Sequence, residues 1–73
     1  MAKQMSKQWF GEVPEKDSFG EPITTTFIDG ATFSGPWAIM TPRSFKMLGV
    51  GLGLGRGQKY EKQNGGVWLK VEG

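Results

Sequence analysis

The chain has 73 residues and a mass of 8.0 kDa, which limits it to a single small domain. It contains neither cysteine nor histidine, so disulfide bonds, thiolate or imidazole metal ligands and cysteine nucleophiles are excluded. No apolar run approaches the roughly 20 residues of a membrane span, and the N-terminus lacks a signal-peptide core, so we expect a soluble, cytoplasmic protein. This composition favours a binding module over an enzyme.

Charge is distributed unevenly along the chain. Residues 1–35 carry three lysines and five acidic residues, whereas residues 36–73 carry six basic residues and two acidic ones. A basic C-terminal half indicates an acidic partner surface such as nucleic acid. The alternative is a solubilising surface whose charges happen to segregate.

The polar N-terminus predicts a flexible arm over residues 1–8, followed by a single small globular domain over residues 9–73. Trp9 and Phe10 are the first large apolar residues, and we expect them to dock on the domain. Residues 11–22 contain two prolines, two glycines and five charges, which predicts a loop with solvated carboxylates.

Residues 23–29 are rich in β-branched and aromatic side chains and predict a strand. Asp29-Gly30 predicts a tight turn after it, because glycine accepts a positive φ without steric cost. Residues 31–33 are expected to return as a short strand. Residues 36–40 predict another strand, with proline at its first position, where a missing N–H matters least.

The strongest local signals predict a short helix over residues 42–48. Thr41 is a suitable N-cap, and Pro42 fits the first helical position. Gly49 is expected in a left-handed conformation just after the helix. Two helical turns are not stable alone in water, so the helix must pack on the sheet.

Residues 49–57 alternate glycine with other residues, and we expect Val50, Leu52 and Leu54 to pack on one side of the loop. The spacing matches neither G-x-G-x-x-G nor a P-loop, which argues against nucleotide binding. The pattern favours a structural role or a flexible binding loop.

Two further strands are predicted over residues 58–63 and 67–71, joined by a turn at Asn64-Gly65-Gly66. Val67, Leu69 and Val71 are expected to face the core, which leaves Trp68 on the opposite face. Together the elements predict an α+β fold, with a small antiparallel sheet of three to five strands and one short helix.

The sequence predicts no catalytic residue, cofactor or metal. The carboxylates of residues 12–21 lie in a polar loop, unlike the buried acids used in acid–base catalysis. Ser44 and Lys46 lack the context of an activated nucleophile.

Basic and aromatic side chains of the C-terminal half remain as candidates for binding. Phosphate pairing with base stacking uses this mixture, and so do hot spots of protein interfaces, so RNA and protein both stay open as partners. Trp37 and Phe45 are expected in the core. The predicted partner-binding residues are Arg43, Lys46, Met47, Arg56, Lys59 and Trp68.

The segment from Phe27 to the C-terminus, with its GPWA and GVGLGLGRGQ stretches, resembles a set of small phage proteins. In that set a Cys-x-x-Cys pair follows Gly-Pro-Trp-Ala, at the positions of Thr41 and Ser44 here. If those relatives bind zinc, this chain has lost the ligands. The resemblance therefore implies a zinc-ribbon-like fold kept without its metal, with the helix start held by capping instead.

Within that set the chain resembles phage-encoded transcription regulators that bind host bacterial RNA polymerase. The resemblance implies a non-enzymatic protein that engages the β and β′ subunits in the host cytoplasm, blocks σ-dependent initiation and promotes antitermination at intrinsic terminators. Nascent RNA and a host elongation factor are further partners under this interpretation, and we expect a monomer when the protein is free. The alternatives are a single-stranded nucleic-acid-binding protein and an inhibitor of another host protein.

Overall fold

The computed structural model describes residues 7–73. Over this range the chain forms a four-stranded antiparallel sheet and one short helix, which confirms the predicted α+β fold. No helix of this range is long and apolar enough to cross a membrane. In chain order the elements are β1 (Thr26–Ala31), β2 (Trp37–Met40), α1 (Pro42–Leu48), β3 (Gly57–Lys62) and β4 (Trp68–Glu72).

The strand order is β2-β1-β3-β4, so β1 and β3 are the central strands. Ile28 in β1 pairs with Met40 of β2 on one side and with Lys59 of β3 on the other. At the β2 edge, the Ser18 N–H donates to the Ile39 carbonyl at 2.8 Å. The loop before β1 therefore covers part of an edge that would otherwise be open to another strand.

The predicted turn at Asp29-Gly30 is wrong, because both residues lie inside β1. Residues 31–33 are accordingly the end of β1 and the start of the turn to β2, and not a separate strand. A Cβ at Gly30 would lie 2.8 Å from the Arg56 carbonyl oxygen and 2.9 Å from the Gly57 Cα. Glycine is needed here because two strands approach closely, and not because a turn requires a positive φ.

One face of the sheet carries a cluster of four aromatic rings. Phe27 is fully buried, and its ring stacks on that of Tyr60 at a centroid distance of 5.2 Å. Trp9 packs edge-on against both rings, and the ring centroid of Trp68 lies 5.1 Å from that of Phe27. The expected docking of Trp9 is confirmed, whereas Phe10 is exposed and its predicted docking is wrong.

Ile28 and Met40 are buried on the other face of the sheet, and α1 packs against β1 and β2. The helix spans the predicted residues, and its cap is confirmed: the Ser44 N–H donates to the Thr41 hydroxyl at 3.2 Å. Gly49 follows the helix, but its φ of −79° is not left-handed. Glycine is required there because a Cβ would overlap the Phe45 ring.

The hairpin turn between β3 and β4 is confirmed, and both Gly65 and Gly66 have a positive φ. The predicted orientation of β4 is wrong. Trp68 packs on the aromatic cluster, while Val67 and Val71 are exposed. Because side chains alternate along a strand, placing the tryptophan in the core turns the neighbouring valines outward.

The predicted arm covers residues 1–8, of which residues 1–6 lie outside the described residues. Lys7 and Gln8 run beside β4: the Lys70 N–H donates to the Lys7 carbonyl at 2.7 Å, and Gln8 lies opposite Leu69. This short pairing covers part of the β4 edge.

Candidate protein-binding surface

Helix α1 presents one face to solvent. Arg43, Lys46 and Met47 are exposed on it, whereas Ser44 is buried and Phe45 is half-buried. Residues three or four positions apart share a helix face, so the three exposed side chains are neighbours. The structure thus brings together three of the six predicted partner-binding residues.

Asp17 anchors the start of this helix. One carboxylate oxygen accepts hydrogen bonds from the N–H and the hydroxyl of Thr41, at 2.8 and 3.0 Å. The other accepts from the backbone N–H groups of Phe19 and Glu21, both at 2.9 Å. Burial alone would raise the pKa of Asp17, but the hydrogen bonds, foremost that of the Ser44 hydroxyl, outweigh it and lower the pKa to about 2. A buried, ionised group therefore fixes the position of the exposed face.

The cations of this face have no acidic partner among residues 7–73, where the Lys59–Glu72 contact at 3.7 Å is the single ion pair. Lys46 lies in the last turn of α1, where the negative end of the helix dipole favours a cation. Met47 beside it is 69% exposed. Unpaired cations next to an adaptable apolar side chain suit a protein surface that offers carboxylates and apolar groups.

Arg56, a fourth predicted residue, lies in the glycine-rich loop between α1 and β3. This loop is tied to the end of β1: the Ala31 N–H donates to the Arg56 carbonyl at 2.7 Å, and the Val50 N–H donates to the Ala31 carbonyl at 3.2 Å. The guanidinium lies across the loop, since a Cβ at Gly53 would be 3.1 Å from its Nη2. Arg56 is therefore at the end of the sheet where α1 ends.

The last two predicted residues, Lys59 and Trp68, lie apart from the α1 face. They belong to β3 and β4, and within the described chain α1 packs only on β1 and β2. Lys59 pairs with Glu72. Trp68 contributes to the aromatic core and borders a shallow groove of about 310 Å³, which is also lined by Val13, Pro14, Ile23 and Lys62.

Sequence reasoning missed two exposed apolar side chains, one in the turn after β1 and one in the glycine-rich loop after α1. Leu54 is 93% exposed and Phe33 is 76% exposed. The Phe33 N–H donates to the Leu48 carbonyl at 2.9 Å, so the turn after β1 lies against the end of the helix. The prediction that Leu54 packs with Val50 and Leu52 on one side of the loop is wrong, because those two side chains are half-buried and Leu54 is exposed. The glycines on both sides of Leu54 were the available signal, because they place it at the tip of a turn.

The predicted burial of Trp37 and the predicted exposure of Asp17 are also wrong. Trp37 was expected in the core but is 49% exposed, and its indole N–H donates to the Asp29 carboxylate at 2.6 Å. Asp17 was grouped with solvated loop acids but is buried. Its partner Thr41 follows 24 residues later, so no local pattern marks the contact.

The described residues hold no group of three acidic, histidine or cysteine side chains suited to a metal ion. Thr41 and Ser44, which the resemblance would align with a cysteine pair, lie at the start of α1: the Thr41 hydroxyl accepts from the Ser44 N–H and donates to the Asp17 carboxylate. The chain matches no protein-family model, and no curated protein or solved structure matches it. The surface around α1 is therefore the basis for a functional proposal.

Proposed function

We propose that this protein is a phage transcription regulator that binds the β and β′ subunits of host RNA polymerase in the host cytoplasm, with the exposed face of α1 as a principal contact. The observation that carries the proposal is the pair of unpaired cations, Arg43 and Lys46, beside the exposed Met47. The resemblance to small phage regulators supplies the identity of the partner. The surface supplies the chemistry of the contact.

The mode of action follows from size and charge. A protein with 5200 Å² of total surface that gives about 800 Å² to a partner commits roughly one-sixth of its surface to a standard interface. Such a protein acts by covering a site that another factor needs, here the surface that σ uses in promoter recognition.

Antitermination requires a second effect near the exit of the nascent RNA. Arg43, Lys46 and Arg56 are exposed basic residues on α1 and on the loop that follows it. Where the interface lies beside emerging RNA, these cations raise the local positive potential, which redirects the strand from closing into a terminator hairpin. Initiation block and read-through then follow from one bound position.

The affinity of this protein and its variants for purified host RNA polymerase core tests the proposal. The double variant R43Q/K46Q removes two positive charges, and the control K16E changes the net charge by the same amount at an exposed residue in the loop before β1. We expect R43Q/K46Q to lower the affinity about tenfold or more. Raising the salt concentration should weaken the binding of the wild type more than that of the double variant, because salt screens the two cations that the variant lacks. K16E should bind within about threefold of the wild type.

Absence of wild-type binding to the core enzyme would overturn the proposal. Equal losses for R43Q/K46Q and K16E would show that net charge, and not the α1 face, governs binding. Thermal unfolding of each variant is the folding control, because all three substituted side chains are exposed.

A further inference from the structure

The glycine-rich loop between α1 and β3 ends in a tight, hydrogen-bonded turn. The Gly53 N–H donates to the Gly57 carbonyl at 2.8 Å, and the N–H groups of Arg56 and Gly57 both donate to the Gly53 carbonyl at 3.0 Å. Gly53 and Gly55 have φ values of 127° and 76°, which other residues rarely adopt. The turn over residues 53–57 thus has a defined backbone conformation.

Leu54 is held at the tip of this turn and is the most exposed of the large apolar residues of the described chain, at 93%. An apolar side chain on a well-defined turn loses little conformational freedom when it enters a partner, which favours affinity. A leucine that stabilises the fold would instead be buried against its own domain. The arrangement is therefore that of a side chain presented outward.

Arg56 places a positive charge beside Leu54. Its guanidinium lies across Gly53, and it forms no ion pair with any residue from 7 to 73. An exposed guanidinium without an acidic partner pairs well with a carboxylate of another protein. The apolar tip and the neighbouring cation together fit a partner site of one kind, which is an apolar pocket with an acidic residue at its rim.

We propose that Leu54 is an anchor that enters an apolar pocket of the protein partner, with Arg56 pairing with a carboxylate at the rim of that pocket. The inference rests on the proposed function and adds a second contact to that of α1. It assigns the turn to a protein partner, because a leucine tip offers no stacking surface for a nucleobase.

The test measures the affinity of purified host RNA polymerase core for L54S, L54M and R56Q. Burial of a leucine side chain predicts a loss of about 10- to 100-fold for L54S, while L54M keeps the apolar contact and stays within about threefold. R56Q should weaken binding about tenfold. All three should unfold at the wild-type temperature, because the substituted side chains are exposed.

The outcomes separate the two proposals. Wild-type binding that R43Q/K46Q weakens and L54S leaves unchanged would overturn the anchor and leave the proposed function standing. No wild-type binding at all would overturn both. Concentration-dependent self-association in sedimentation, abolished by L54S, would assign the tip to a second copy of this chain and overturn the anchor as stated.

Discussion

The carboxylate of Asp17 accepts two hydrogen bonds from Thr41, at 2.8 Å from its backbone N–H and 3.0 Å from its hydroxyl. This contact joins the loop before β1 to the first residue of the α1 cap. The same loop bonds to the β2 edge through Ser18 and Ile39. The exposed face of α1 is therefore held in place by residues far away in sequence.

Replacing Asp17 by alanine should destabilise the fold by about 2–4 kcal/mol, because it leaves the Thr41 N–H buried without its acceptor and removes a charged partner. Urea unfolding followed by circular dichroism measures the change. The matched control E12A removes an exposed acid from the same loop and should shift stability by less than about 0.5 kcal/mol. Similar losses for both variants would contradict the anchoring role of Asp17.

The low pKa of Asp17 makes the free energy of unfolding depend on pH in the acidic range. The folded pKa of about 2 lies below the ordinary value of 3.8, so ionisation stabilises the fold by about 2 kcal/mol at neutral pH. This contribution is present above about pH 5 and is lost as pH falls toward 2. Unfolding free energies from pH 7 to pH 2 should therefore fall more steeply for the wild type than for D17N. Parallel curves would show that Asp17 titrates with an ordinary pKa.

Gly30 tests the close approach of β1 and β3. The variant G30A places a Cβ within 3 Å of the Arg56 carbonyl and the Gly57 Cα, both of them backbone atoms. The strands must separate, and we expect a loss of about 2–3 kcal/mol in urea unfolding. G20A is the comparison, since its Cβ meets nothing within 4 Å and only its positive φ is strained. A smaller loss for G30A than for G20A would contradict this interpretation.

Trp68 was predicted as a binding residue, but its ring packs on Phe27. The variant W68A should therefore lower stability by about 2–3 kcal/mol, less than a fully buried tryptophan, because the ring is half-exposed. Thermal unfolding measures this loss, and V67A provides the control at the exposed neighbour. A stable W68A variant that has lost polymerase binding would assign Trp68 to the interface instead.

The elements that local chemistry determines were predictable from the sequence. Thr41 and Pro42 mark the start of α1, because the threonine hydroxyl accepts a free N–H of the first helical turn. Asn64-Gly65-Gly66 marks the hairpin, because the two glycines adopt the positive φ values of the turn. Asp29-Gly30 misled because glycine serves two purposes, a turn or a close approach of strands, and only the partner strand decides between them. The anchoring contact of Asp17 was likewise hidden, because it depends on a residue distant in sequence.

The candidate surface was half predictable. Arg43, Lys46 and Met47 share a face because helical spacing dictates it. Lys59 and Trp68 were grouped with them by composition, but strand pairing places both elsewhere. The flanking glycines mark a turn at Leu54, but its exposure also depends on the closure of the loop on Gly57, which is set by hydrogen bonds between Gly53 and Gly57.

Transcription with purified host RNA polymerase tests the central claim most directly. A template with a σ-dependent promoter and an intrinsic terminator reports both effects in one reaction. We expect added protein to reduce promoter-initiated transcripts, and to increase read-through when it is added to elongating complexes, with R43Q/K46Q weaker in both and K16E unchanged. Unaltered initiation and termination at protein concentrations well above those of the polymerase would contradict the proposed function.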